Sequence, residues 1–256
     1  MRKLVLSFFI SFLFLSPVFG AELSAVYDVK FGIFGKVGEA RTKLTTYENN
    51  GTYEIYMDAK TFGLANSLSG DRREYFYSAG TTYKGYLLPE IYKHRVERNK
   101  RGELRIREKV FELKQSQNQI KLSIYKNKGD NGNSLNKTDE RVLNYYGAND
   151  LLTLFFNFSK IRKDLDHFIL IVAGAKDDNG EIEIKIPSDK EALRIQKSLG
   201  TTDKPYIVFI NQKIFSSKKG ELHVAIGDEG YATKAVLKDV ILFGDIVGEL
   251  VEVKKR

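Results

Sequence analysis

The chain contains no cysteine and no tryptophan, only four prolines and three histidines among its 256 residues. Without cysteine there can be no disulfide, no thiolate nucleophile, no cysteine-ligated zinc and no lipid attached to an N-terminal cysteine. The histidines, His94, His167 and His223, stand far apart and lack the His-Glu-x-x-His spacing of a zinc hydrolase. No Gly-x-Ser-x-Gly elbow occurs, nor a Ser-x-x-Lys followed by Lys-Thr-Gly, which removes the common serine hydrolases. Gly32, Gly35 and Gly38 are not followed by Gly-Lys-Ser/Thr, so they suit a bent hairpin rather than a phosphate loop. Asp177-Asp178-Asn179-Gly180-Glu181 falls short of a calcium loop and reads as a hairpin turn. Paired carboxylates for glycoside hydrolysis are defined by separation in space, so an envelope glycan hydrolase stays open as an alternative. No cofactor is implied.

The first twenty residues carry the clearest positive signal. Met1-Arg2-Lys3 is basic, Leu4 to Leu15 is apolar apart from Ser7 and Ser11, and Ser16 to Gly20 supplies a proline and a small terminal residue. This is the layout of a secretory signal peptide, too short for a spanning helix, and it predicts cleavage after Gly20 with Ala21 as the mature start. The expected location is the periplasm, where nucleic acid is not an expected partner. Lys and Arg number 41 against 33 acids, a formal charge of +8, which makes anionic lipid, lipopolysaccharide or acidic glycan the candidate polyanions, with another envelope protein as a further possible partner, although moderate charge also serves solubility alone. After residue 20 no apolar stretch approaches membrane-spanning length; the longest, Leu151 to Phe158, is broken by Thr153 and Asn157.

Beyond the leader, short alternating runs separated by Gly, Asn and Asp predict strands. Ala25, Tyr27, Val29, Phe31 and Ile33 alternate with polar residues; so do Ile120, Leu122 and Ile124, then Ile182, Ile184 and Ile186, then Leu222, Val224 and Ile226. Asn49-Asn50-Gly51 and Gly227 to Gly230 provide hairpin turns. The exception is a predicted helix over Asp150–Asp164, with Asp150 as its cap. Its polar residues Thr153, Asn157, Lys160 and Asp164 form one narrow stripe and the rest of its circumference is apolar. Such a helix needs enclosure on several sides. The fold class expected is therefore mainly β: an antiparallel, strongly curved sheet or partial barrel packed around one central apolar helix. Ser188–Leu199 reads as a shorter helix with a Ser188/Glu191 capping box. The polar segment 126–141 reads as a long loop, so residues 21–256 form either one β-rich domain or two lobes, 21–125 and 142–256, joined by it.

The densest charge lies between Lys93 and Lys109, where Asn99 to Gly102 makes a turn between two strands. Arg105 and Arg107 fall on one side of their strand, and Arg95 on the incoming strand is expected near them, which makes these three the candidate grip for a phosphate or carboxylate. The same pattern also suits an edge protected by charge. Glu48-Asn49-Asn50-Gly51-Thr52 fits the extended acceptor pattern of bacterial asparagine glycosylation at Asn50.

In motif order the chain resembles a family of secreted bacterial proteins known as domain of unknown function 3108. The resemblance rests on Tyr27-Asp28-Val29-Lys30-Phe31-Gly32 leading to Gly38-Glu39-Ala40, then on Thr61 to Ala65 and on Gly85-Tyr86-Leu87-Leu88-Pro89 with Tyr92. It continues through Asn149 to Leu154 and ends at Phe243 to Leu250, while Lys93–Lys109 and Lys126–Arg141 depart from the pattern. It implies an exported β-rich fold and supplies no catalytic residues. The expectation is a non-catalytic periplasmic protein that binds or carries an amphiphilic or anionic envelope component; the alternatives are the glycan hydrolase and a protein-interaction scaffold.

Overall fold

A computed structural model describes residues 20–127, 134–161, 165–176, 178–210, 217, 219–240 and 244–256. The leader, the asparagine- and glycine-rich stretch 128–133, and Asp164 and Asp177 lie outside these residues. Alternation with regular turn residues builds a run of antiparallel strands. These are β1 (Ala21–Phe31), β2 (Gly35–Tyr47), β3 (Thr52–Thr61), β4 (Arg73–Tyr83), β5 (Tyr86–Lys100), β6 (Glu103–Lys114), β7 (Gln119–Asn127) and β8 (Leu135–Val142). A short helix α1 (Gly63–Ser69) interrupts the meander between β3 and β4. The chain then forms β9 (Asn149–Asp150) and α2 (Leu151–Asn157), followed by β10 (His167–Ala173) and β11 (Glu181–Lys185). Helix α3 (Asp189–Leu199) precedes β12 (Lys204–Phe209), β13 (Glu221–Ile226), β14 (Ala232–Val240) and β15 (Gly244–Lys255).

All fifteen strands belong to one sheet, in the order β8-β7-β6-β5-β4-β3-β2-β1-β15-β14-β13-β12-β11-β10-β9. It is curved and unclosed. Every neighbouring pair is antiparallel except β9 with β10. The N-terminal strand β1 thus lies mid-sheet between β2 and β15, with Leu23 opposite Lys255 and Phe31 opposite Ile246.

The face toward α2 carries the two largest cores. One joins Tyr53, Ile55, Tyr92, Phe111 and Leu122 from β3, β5, β6 and β7 with Leu152 of α2. The other joins Val172, Ile182, Ile184, Tyr206 and Val208 from β10 to β12 with Leu154 and Phe158. Helix α2 and the turn after it therefore donate side chains to both halves, as the wide apolar circumference required. Phe158 meets Tyr206 edge-on at 4.9 Å between ring centres, and Phe155 meets Tyr27 likewise at 6.0 Å. Helix α3 covers the opposite face of the second half, burying Ile195 and Leu199 against Ile207, Ala225 and Val236. Gly174 has φ of +87°, and a Cβ there would stand 2.5 Å from the Tyr92 ring, so both backbone conformation and space exclude a larger residue.

Three local expectations differ from the structure. The polar segment 126–141 is not simply a loop: Leu135 to Val142 form β8, hydrogen-bonded along β7, because its Leu135, Thr138 and Val142 suit an edge strand whose charges discourage further pairing. Helix α2 is shorter than Asp150–Asp164; it tightens into a single 3-10 turn over Phe158–Lys160 and stops at Ile161, whose backbone is extended. Helix α3 starts after Ser188 as expected, yet the Ser188 side chain makes no capping bond and Glu191 instead reaches Lys185 at 3.0 Å.

Candidate functional site

Cross-strand register decides which of the basic side chains share a face, since directly opposed residues of an antiparallel pair point the same way. Arg101 (φ +57°) and Gly102 (φ +80°) form the two-residue turn between β5 and β6, and both positive φ values suit a tight hairpin. That turn sets Arg98 opposite Arg105 and Val96 opposite Arg107, and β7 sets Lys126 opposite Arg107. Counting along the strands, these residues share the face of Tyr92, Phe111 and Leu122, so the basic cluster continues the apolar inner wall. The wall between them holds Phe76 and His94, whose rings stack at 4.3 Å, and Lys109 opposite Ile124. Arg98, Arg105, Arg107 and Lys126 are all exposed. Arg105 pairs with Glu103, while Arg98, Arg107 and Lys126 make no ion pair among the described residues.

Arg95 does not join them. It opposes Tyr75 and Glu108 on the other face and holds Glu97 at 2.7 Å. The expected trio of Arg95, Arg105 and Arg107 is therefore split by strand parity: Arg95 and Arg98 differ by an odd number of positions, and Arg98 is the one that meets Arg105. The signal was present in the two-residue turn, which fixes the register. Lys126 could not be paired with Arg107 without the β6–β7 register. Asn50, the sequence-predicted acceptor, lies exposed in the turn between β2 and β3, where its Oδ1 accepts from the Thr52 amide at 3.1 Å.

A second constellation lies at the base of α2, wholly buried. Asp150 caps the helix, its Oδ1 accepting from the amides of Leu152 (2.7 Å) and Thr153 (2.9 Å), while Thr153 Oγ1 accepts from the Asp150 amide (2.8 Å). Its Oδ2 accepts from the Ser78 hydroxyl of β4 at 2.6 Å. Since Ser78 spends its proton there, the Tyr53 hydroxyl at 3.1 Å donates to Ser78. Burial pushes the Asp150 carboxyl up to about 6, against the hydrogen bonds from Ser78, Thr153 and Leu152, which favour the charged form. Desolvation likewise raises Tyr53 and Tyr92, and the Tyr92 hydroxyl has no hydrogen-bond partner among the described residues. Asn157 completes the seam: it accepts from the Leu87 amide at 3.0 Å and donates to the Leu87 carbonyl at 2.9 Å and to Asn149 at 2.8 Å. The stripe of Thr153 and Asn157 thus faces β4 and β5 rather than solvent, and among its described residues only Lys160 is exposed. Sequence reasoning identified the cap but not these partners.

Each histidine bonds a glutamate: His94 to Glu74, His167 to Glu183 and His223 to Glu221, at 2.7, 2.8 and 2.7 Å. Among the described residues no three potential ligands cluster for a metal ion. An open groove of about 690 Å³ runs between α3 and β12, where Asp189, Asp203 and Asp228 outnumber Lys204 and disfavour an anion. Among the described residues no helix is long and apolar enough to cross a membrane. The chain matches no protein-family model and no curated protein. A solved structure that resembles it is a beta-barrel-like protein of domain of unknown function DUF1849 from Brucella abortus, at 12% identity, covering 92% of this chain and 98% of that one. Its TM-score of 0.45 is too low for the likeness to carry an argument.

Proposed function

We propose that the protein is an exported, periplasmic, non-catalytic protein that binds or carries an anionic amphiphile of the cell envelope, with the charged end held by Arg98, Arg105, Arg107 and Lys126. The observation that carries this reading is the pair of directly opposed like charges, Arg98 with Arg105 and Arg107 with Lys126, on the face that continues into the apolar core. Opposed like charges destabilise an antiparallel pair by several tenths of a kcal/mol. An anion between them turns that cost into attraction, and beyond Val96 and His94 the half-buried Phe76 and Met57 on the same face offer a surface for a hydrocarbon tail.

Vesicle flotation tests it. The wild-type protein is expected to float with anionic vesicles at low salt and to be released at high salt as screening removes the electrostatic attraction. Replacing Arg105 and Arg107 with Gln should abolish flotation while circular dichroism stays unchanged, whereas Arg95→Gln, on the other face, should float like wild type. Wild-type protein that never floats, or a double variant that floats equally well, would falsify the reading. The address has its own check: intact mass of the protein from a soluble periplasmic extract should begin at Ala21.

A further inference from the structure

The cluster's charge count bears on the ligand's chemical class. Four cations, Arg98, Arg105, Arg107 and Lys126, lie on three adjacent strands; of the acids on the same face, Glu103 stands opposite Lys100 and pairs with Arg105, and Glu74 is taken up by Arg72 and His94. Directly opposed Cβ atoms are about 4.5–5.5 Å apart and diagonal neighbours about 7–8 Å, so long basic side chains on these positions can converge on a single tetrahedral group. A carboxylate brings one charge and two oxygens in one plane, enough to relieve one opposed pair. A phosphate monoester brings a charge of roughly −1.5 to −2 and three terminal oxygens, enough to bridge both pairs. Arginine's planar fork matches phosphate oxygens two at a time, and three of the four cations here are arginines. Resting on the amphiphile reading above, we infer that this cluster selects a phosphate monoester headgroup over a carboxylate or a phosphodiester.

The test is titration calorimetry of the purified protein at pH 8 with four probes below their micellar concentrations: dodecyl phosphate, its methyl diester, dodecanoate and inorganic phosphate. The diester carries the same tail and phosphorus with one charge fewer, so it isolates charge from shape. Dodecyl phosphate is expected to bind at least about tenfold more tightly than the diester or dodecanoate, a difference of about 1.4 kcal/mol. Inorganic phosphate should bind more weakly than dodecyl phosphate. Arg98→Gln and Arg107→Gln, both exposed, should each lose the monoester preference while unfolding no more easily than wild type. Equal affinity for the three tailed probes overturns the headgroup inference and leaves the amphiphile reading standing. Inorganic phosphate binding as tightly as dodecyl phosphate supports the headgroup inference and overturns the amphiphile reading. No binding by any probe overturns both.

Discussion

Asp150 is the residue on which most of the interior polar chemistry converges. A carboxyl with no exposed surface is held by the Leu152 and Thr153 amides and by Ser78, with the Tyr53 and Tyr92 hydroxyls raised by the same burial. Glu74, the other acid whose charge raises Tyr92, is itself held low by His94 and Arg72 against its burial. Because the folded-state value near 6 lies above that of an unfolded aspartate, Asp150 favours folding most below about pH 4, and that contribution is lost as pH rises through 6. Two pKa units correspond to roughly 3 kcal/mol. Urea unfolding between pH 4 and 8 should therefore show wild-type stability declining relative to Asp150→Asn, whose amide oxygen still caps the helix but does not titrate. Parallel pH profiles for the two proteins would mean that Asp150 keeps an ordinary affinity for its proton. The cap itself was legible, because Asp150-Leu151-Leu152-Thr153 is a local pattern. Ser78 and Tyr53 reach it from β4 and β3, and nothing local specifies that meeting.

At the scale of elements, α2 shows why period alone misjudges a polar stripe. A helix on one surface turns its polar residues to water, but α2 lies between two halves of a sheet and meets backbone on its polar side as well. Asn157 there substitutes for a missing strand neighbour by satisfying both the amide and the carbonyl of Leu87. Removing it leaves buried backbone groups unpaired, at about 1–3 kcal/mol each. Asn157→Ala should accordingly cost about 3 kcal/mol in urea melts, near the 3–5 kcal/mol expected of Phe158→Ala in the adjoining core. Lys160→Ala, exposed and bonded to the Gly85 carbonyl, should cost under about 1 kcal/mol. Three small and equal losses would show that α2 is only loosely docked. The basic hairpin teaches a parallel lesson, since alternation within β6 placed Arg105 and Arg107 together correctly while the partner across the turn depended on register. In β8, glycine and asparagine upstream masked a strand that β7 completes.

Over the whole molecule, the meeting of the first and last strands in the middle of one open sheet is the feature least available to sequence reading. Antiparallel strands follow from alternation and turns, and curvature from the helix that needs enclosure; the pairing of β1 with β15, more than two hundred residues away, does not. Such pairing closes a very long loop and should form late in folding. It also decides how the halves depend on each other. The structure joins them twice, through β1–β15 hydrogen bonds and through α2, which packs into both cores. Deleting residues 244–256 removes the partner of both β1 and β14 and opens two strand edges in mid-sheet. If the two attachments make one cooperative unit, this truncation should lower amide exchange protection in β3 to β7 as strongly as in β12 to β14, although β3 to β7 keep all their own neighbours. Intact protein should correspondingly unfold in urea with coincident tyrosine-fluorescence and far-ultraviolet transitions. Protection retained in β3 to β7 after the truncation would instead assign the basic cluster to a half that folds alone, and ligand binding measured on that half would then have to survive without α3 and the strands it covers.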